Sequence, residues 1–302
     1  LSSVMLVPLV GRRGVIGVVT LIYAESGRHY AHADVAFVED VARRAALALE
    51  TADRFREQSG RLAEVTRVAD AAQRAILAPP PSRMRSLRLA ARYVSAAAEA
   101  RVGGDLYEVV ERPDAVRLLI GDVRGKGLAA VRTATIVLGE FRAAAADLGD
   151  IGEVAEHIDR RIRHHLGEED FVTALIAEID DDGRYSIVCC GHPPALIVTE
   201  GRVAELELDH ALPLGLGTTP TVSEGKLSPG DRILLYTDGV IESRHPDGRF
   251  IDLMHVTESM ARGDLNPGLD AVLAALRREI GSEPADDIAL LAAEYRPKSG
   301  GR

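Results

Sequence analysis

Three consecutive prolines, Pro79-Pro80-Pro81, divide this chain into two parts that must fold by different rules. A prolyl ring offers no N–H and clashes with the carbonyl four residues back, so neither a helix nor an inner strand runs through such a triplet. Before it the sequence is Ala-rich and helical in period; after it, strand and helix signals alternate. Residues 82–296 are therefore read as one domain, long enough to bury a full core.

The first part opens with two β-branched runs, residues 4–10 (VMLVPLV) and 15–22 (VIGVVTLI), separated by Gly11-Arg12-Arg13-Gly14, which predicts a hairpin. From about Asp34, Val38, Val41, Ala45, Ala48 and Leu49 are spaced for an amphipathic helix that continues past Phe55 to Leu77. Within it Phe55, Leu62, Val65, Ala69, Ala72 and Ile76 fall on a and d positions of a heptad, with Gln58 at the remaining d. That spacing predicts a short parallel coiled coil, and with it a homodimer through the helix of residues 53–81. The competing reading is a helix packed on its own domain, in which Gly60 costs about 1 kcal/mol relative to Ala.

In the second part, strands are expected near 87–95, 105–110, 115–122, 171–179, 184–190, 194–199, 232–237 and 287–294, and helices near 127–147, 151–165 and 268–280. Turns at Asp181-Asp182-Gly183 and Glu200-Gly201 favour antiparallel pairing after residue 165. Residues 297–302 read as a disordered tail. The 46 acidic and 36 basic side chains leave a net charge of -10, which disfavours nucleic acid as the main partner and suits divalent cations. No apolar run approaches the roughly 20 residues of a membrane span. The start, Leu1-Ser2-Ser3, is neither a signal peptide nor an initiator methionine, so the expectation is a cytoplasmic piece of a longer chain. Cys189 and Cys190, adjacent on an expected strand, read as buried apolar residues on opposite faces.

Several motifs fall away on inspection. Gly121-Asp122-Val123-Arg124-Gly125-Lys126-Gly127 ends in Gly where a phosphate-binding loop needs Ser or Thr. The Glu178, Asp180, Asp182, Gly183 spacing starts like a calcium loop, but its twelfth position is Cys189, so a hairpin turn explains it better. No Gly-x-Ser-x-Gly elbow exists. His192, before Pro193-Pro194, reads as structural.

What remains is a set of aspartates at the ends of apolar strands, each beside glycine or another acid: Asp105, Asp122, Asp238 and the pair Asp286-Asp287. Singly, such an acid is usually a turn residue or helix cap. If the strand ends converge to about 5 Å, each ionised pair repels by roughly 3 kcal/mol at an effective dielectric near 20, so the cluster needs protons or cations. Oxygen donors without His or Cys select Mg²⁺ or Mn²⁺, and two such ions activate water for attack on a phosphate ester. Gly103, Gly104, Gly121 and Gly239 allow the close backbone approach this requires.

The ordered blocks VGGDLY (102–107), GDVRGKGLAA (121–130), FVTAL (171–175), GHPPAL (191–196), PLGL (213–216), GDRILLYTDGVIE (230–242) and DDIALL (286–291) resemble the metal-dependent protein phosphatase 2C (PPM-type) superfamily, in its bacterial branch of stage II sporulation protein E and sigma-factor regulatory phosphatases. The likeness covers about residues 72–296, including the lead-in QRAILAPPP (73–81). It implies an α+β fold, a four-layer α/β/β/α sandwich of two antiparallel sheets flanked by helices. It also implies a two-ion Mn²⁺ or Mg²⁺ centre with Asp122 bridging both ions, the Val123 carbonyl as a ligand, Asp238 and Asp286 on one ion and Asp105 near the other. Asp287 is the alternative to Asp286, and Asp105, Asp122 and Asp238 are the catalytic set.

The chain departs from the branch at Glu108, where a second Asp is usual, at Ala289 for Thr, and at Cys189-Cys190 for Asn-Ala. Arg124 stands where the wider superfamily often has a histidine acid, and Arg101 and Lys126 are either phosphate contacts or solvated charges. Residues 1–52 resemble the closing strands and last helix of a GAF sensor domain. The implied function is a serine/threonine phosphoprotein phosphatase acting on an anti-sigma-factor antagonist under control of that sensor. A noncatalytic phosphatase-like module that dimerises, and a phosphatase for small molecules, are the alternatives.

Overall fold

A computed structural model describes residues 3–12, 14–23, 29–95, 103–261, 263–282 and 284–297. The chain divides into two compact units, Leu1–Val65 and Thr66–Arg302, with the division inside the helix α1 (His32–Ile76). In the first unit β1 (Ser3–Gly11) and β2 (Gly14–Tyr23) form the expected antiparallel hairpin. Strand alternation turns Met5 and Val7 inward, where they meet Ala42 of α1, with Leu9, Leu21, Val35 and Val38 packed around them. The backbone N–H of Arg12 in the turn donates to Glu50 Oε1 at 2.8 Å. Of the heptad positions, Phe55 is exposed and Ile76 half-buried, whereas the side chains of Gln58, Leu62, Val65, Ala69 and Ala72 lie outside the described residues. Arg101, Val102 and the tail from Lys298 lie outside them as well.

The second unit holds β3 (Arg83–Met84), β4 (Leu87–Val94), β5 (Asp105–Glu111), β6 (Ala115–Val123), α2 (Leu128–Asp147), α3 (Ile151–Ile162), β7 (Val172–Asp180), β8 (Arg184–Cys190), β9 (Leu196–Thr199), β10 (Arg202–Glu205), β11 (His210–Ala211), β12 (Ser223–Lys226), β13 (Arg232–Tyr236), α4 (Leu253–Thr257), α5 (Leu265–Ile280) and β14 (Ile288–Tyr295). One sheet runs β10-β9-β13-β14-β4-β3 and the other β11-β8-β7-β6-β5, with β12 also on β8. Helices α2 and α3 cover the second sheet, and α5 covers β4 and β14 of the first. The α/β/β/α sandwich is thus present.

The period of two decides which core each residue joins. Ile233, Leu235, Leu291 and Ala293 point between the sheets toward Leu118 and Leu175. Their alternates Leu234, Tyr236, Leu290 and Ala292 pack under Leu269, Val272 and Leu276 of α5. Because both faces of β14 are covered, all eight of its residues are buried, and its sequence is an almost unbroken apolar run.

Two boundaries and one pairing correct the sequence reading. The helix expected over 151–165 stops at Ile162, and Arg163–His165 form a single 3₁₀ turn. The helix expected from 268 begins at Leu265, because Pro267 sits in the first turn, where its missing N–H has no partner to lose. Strand β11 pairs parallel to β8, contrary to the antiparallel expectation, because a loop from β10 rather than a hairpin from β8 delivers it. Strands β3, β10, β11 and β12 and helix α4 were not expected. Among the described residues no helix is long and apolar enough to cross a membrane.

Candidate metal centre

Asp105 is the first residue of β5 and Asp122 the penultimate residue of β6, and antiparallel register sets them directly opposite each other. Asp238 follows the end of β13 in the other sheet. One oxygen from each of Asp105, Asp122 and Asp238 lies within 4.8 Å of the others. Thr237 ties the sheets together here. Its hydroxyl donates to Asp105 Oδ2 at 2.7 Å and accepts from the N–H of Ala289 at 2.8 Å, so the orientation of Asp105 is set by β13 and β14.

Two glycines make this approach sterically feasible. A Cβ on Gly104 would stand 2.3 Å from the Val123 carbonyl oxygen and 2.8 Å from Asp122 Oδ1; one on Gly239 would stand 1.9 Å from the Asp287 carbonyl oxygen. Gly104→Ala must therefore displace Asp122 and Val123. We expect Mn²⁺ affinity to fall about 10- to 100-fold, as when a group that orients metal ligands is lost. Calorimetric titration with Mn²⁺ checks this; unchanged affinity would mean that the loop yields without moving either residue.

Burial and mutual repulsion both oppose ionisation of the cluster. Desolvation first, then the neighbouring Asp238 and Asp286, push the Asp122 carboxyl up to about 8. Burial and the charge of Asp122 raise Asp105 well above the usual carboxylate range, and burial with Glu242 and Asp286 raises Asp238. Each of these groups is therefore harder to ionise in the absence of a cation. An all-oxygen, anion-rich donor set of this kind fits Mg²⁺ or Mn²⁺.

The remaining acids are placed around this trio. Asp286 accepts from Lys126 Nζ at 2.9 Å, and Asp287 accepts from the Tyr93 hydroxyl. Both contribute charge to the cluster, but their oxygens are not among the three that converge. Glu108 is turned to Arg142 on α2 and to its own strand, away from a role at the centre. Arg124 lies over the ring of Phe171, with 5.4 Å to the centroid, and bonds to the Glu169 carbonyl. The N–H of Val123 donates to the Gly104 carbonyl at 3.2 Å.

His192 is structural. Its Nδ1 faces the Thr173 hydroxyl at 3.0 Å and its Nε2 the Tyr236 carbonyl at 3.1 Å, so the neutral ring accepts at one nitrogen and donates at the other. Full burial lowers its pKa to about 3. A depressed histidine contributes stability that is present above its ordinary value of 6.5 and lost as pH falls toward 3. His192→Ala, which strips both partners, is expected to cost about 2–4 kcal/mol in urea unfolding at pH 7.5, and to cost less at pH 5.

Sequence reasoning assigned no role to Thr237, Tyr93 or Gln73. Thr237 stands inside the block GDRILLYTDGVIE; nothing local marks Tyr93. Gln73, buried near the end of α1, donates to the Asp105 carbonyl at 3.2 Å, and Tyr107 donates to the Leu77 carbonyl at 3.1 Å.

The sequence pattern of the family described as stage II sporulation protein E (SpoIIE) matches residues 112–296, more than half of the chain. The chain belongs to the stage II sporulation protein E family. A GAF domain pattern matches residues 1–51. Phosphoserine phosphatase RsbU of Bacillus subtilis (strain 168) is 24% identical over 156 residues, which cover 49% of this chain and 45% of that protein. The chain thus spans under half the length of that curated relative. Among solved structures, the RsbU and RsbW domains of Rv1364c from Mycobacterium tuberculosis match with a TM-score of 0.62 at 28% identity, covering 71% of this chain and 61% of that one. The SiaA-PP2C domain of Pseudomonas aeruginosa matches in fold, with a TM-score of 0.64 at 20% identity over 80% of this chain and 98% of that one. This SpoIIE-family member therefore shares the sandwich with PP2C domains.

Proposed function

We propose that the chain is a metal-dependent serine/threonine phosphoprotein phosphatase, with a phosphorylated anti-sigma-factor antagonist as substrate and residues 1–52 as the end of a GAF-type sensor. The observation that carries this reading is the convergence of Asp105 and Asp122, from the paired strands β5 and β6, with Asp238, from the other sheet, into a desolvated acid cluster. The likeness to a protein named phosphoserine phosphatase supports the substrate class.

Asp122, Asp105 and Asp238, with the Val123 carbonyl and Asp286 or Asp287, would hold two Mn²⁺ or Mg²⁺ ions. Such ions supply, when bound, the Lewis acidity and activated water that phosphate-ester hydrolysis needs. The protein's part is to hold the acids. Thr237 fixes Asp105, and Gly104 and Gly239 let the strands close on each other. Burial pushes the Cys189 and Cys190 thiols up to about 11 and about 12, so neither is a nucleophile, which favours direct hydrolysis over a phosphoenzyme.

Regulation would act through α1. Gln73 in its last turn and Leu77 just past its end are bonded to β5, beside Asp105, so a change at this end of the helix alters how the cluster is held. Phe37, Val41 and Phe55, exposed on α1 at heptad-compatible spacing, support pairing with a second copy. The test of the activity is phosphate release from a phosphorylated antagonist protein with and without Mn²⁺. Release that persists in strong chelator sinks the mechanism; absence of release from phosphoprotein alongside turnover of free nucleotides sinks the substrate class.

A further inference from the structure

Lys126 lies in the loop between β6 and α2, and its Nζ stands 2.9 Å from Asp286 Oδ1. Asp286 is one of the charges that oppose ionisation of both Asp122 and Asp238, so its carboxylate belongs to the rim of the acid cluster. Among the described residues no other ion pair reaches Asp105, Asp122, Asp238 or Asp286. Among the described residues Lys126, through Asp286, is thus the cation paired with these four acids.

We propose that the Lys126 ammonium is a built-in counter-ion for Asp286 that a divalent cation must displace, so that this lysine sets the metal concentration at which the centre fills. The inference rests on the metal-centre reading above and adds a competitor to it. Three features suit Lys126 to letting go. It is flanked by Gly125 and Gly127 at φ of 105° and 85°, with nothing within 4 Å of where a Cβ of either would lie, so the loop has room to swing. Its side chain is 38% exposed, so the displaced ammonium returns to water without a burial penalty. It is also a single point charge on a flexible stem, unlike an arginine, whose two-pronged grip on a carboxylate is harder to release.

The counter-ion lowers the repulsion in the metal-free state and by the same amount weakens metal binding. For a partly exposed pair the effect is about three- to tenfold in affinity. The experiment is Mn²⁺ titration by calorimetry of the full metal-free chain, wild type against Lys126→Met, Lys126→Arg and Asp122→Asn. The expected result is that Lys126→Met binds Mn²⁺ about three- to tenfold more tightly than wild type, with the gap narrowing in high salt, while Lys126→Arg binds no more tightly than wild type. Equal or weaker binding by Lys126→Met, or equal tightening by Lys126→Arg, overturns the proposal. If wild type and Asp122→Asn alike fail to take up Mn²⁺, the metal-centre reading falls and this inference with it. Normal loss in Asp122→Asn without tightening in Lys126→Met removes the counter-ion alone.

Discussion

Asp122→Asn is expected to reduce Mn²⁺-dependent phosphate release by at least about 10³-fold on the proposed reading, because a neutral amide would hold a divalent cation, and offset its charge, far less well than a carboxylate. The substitution is nearly isosteric, so the fold should survive. Its effect on stability runs opposite to its effect on activity. In the metal-free protein Asp122 has its pKa raised to about 8, first by burial and then by Asp238 and Asp286. A carboxyl raised in this way contributes stability that is fully present below its ordinary value of 3.8 and is lost as pH rises through about 8. The wild-type metal-free protein should therefore lose stability between pH 5 and pH 8, and Asp122→Asn should lose less of it. Thermal melts in chelator across that range, paired with activity assays in Mn²⁺, test both halves. A variant that is inactive and also less stable at pH 8 would show that Asp122 serves mainly as a structural hydrogen-bond acceptor.

The acids were legible in the sequence because each sits where a strand ends, a position that the two-residue period and a flanking glycine mark locally. Convergence was a separate matter. That Asp105 faces Asp122 follows from the register of β5 with β6, which a short connection between adjacent strands nearly dictates. That Asp238 joins them follows from the packing of one sheet on the other, which no local pattern encodes; the order of the motif blocks supplied it. The residues that escaped notice are those whose role exists only across elements. Thr237 reaches a strand 132 positions away, and Gln73 reaches one 32 positions away from a helix whose spacing pointed to a coiled coil. Glu108 shows the converse, an acid beside the site in sequence that strand alternation and Arg142 direct elsewhere. The short strands β3, β10, β11 and β12 carry too few residues to establish a period, so they too were invisible.

Arg117 is the position at which a single change should cost the fold most. It reads in the sequence as a charged interruption of the apolar run of β6, yet its side chain is 0% exposed. The guanidinium pairs with Glu178 across the β6–β7 ladder and donates to the carbonyls of Ala145 at 3.1 Å, Leu148 at 2.8 Å and Gly149 at 2.7 Å. These carbonyls close the C-terminal end of α2, whose last turn has no basic residue of its own. Arg112 Nη1 reaches the Ala145 and Leu148 carbonyls as well, at 3.3 and 2.6 Å, so two arginines satisfy the orphan acceptors of this helix end and meet its negative dipole, with Arg117 the buried one. Arg117→Met leaves the Gly149 carbonyl without its donor and Glu178 without its short ion pair, while Arg112 still reaches the Ala145 and Leu148 carbonyls. Removing one partner of a buried charged pair costs about 3–5 kcal/mol. In a domain of this size that corresponds to a melting point lower by about 10 °C. Arg117→Lys should recover only part of the loss, since a single ammonium cannot reach acceptors spread over three residues. Urea unfolding of the three proteins decides the point. A cost below about 1 kcal/mol for Arg117→Met would mean that Arg112, with water, suffices for the carbonyls at the end of α2.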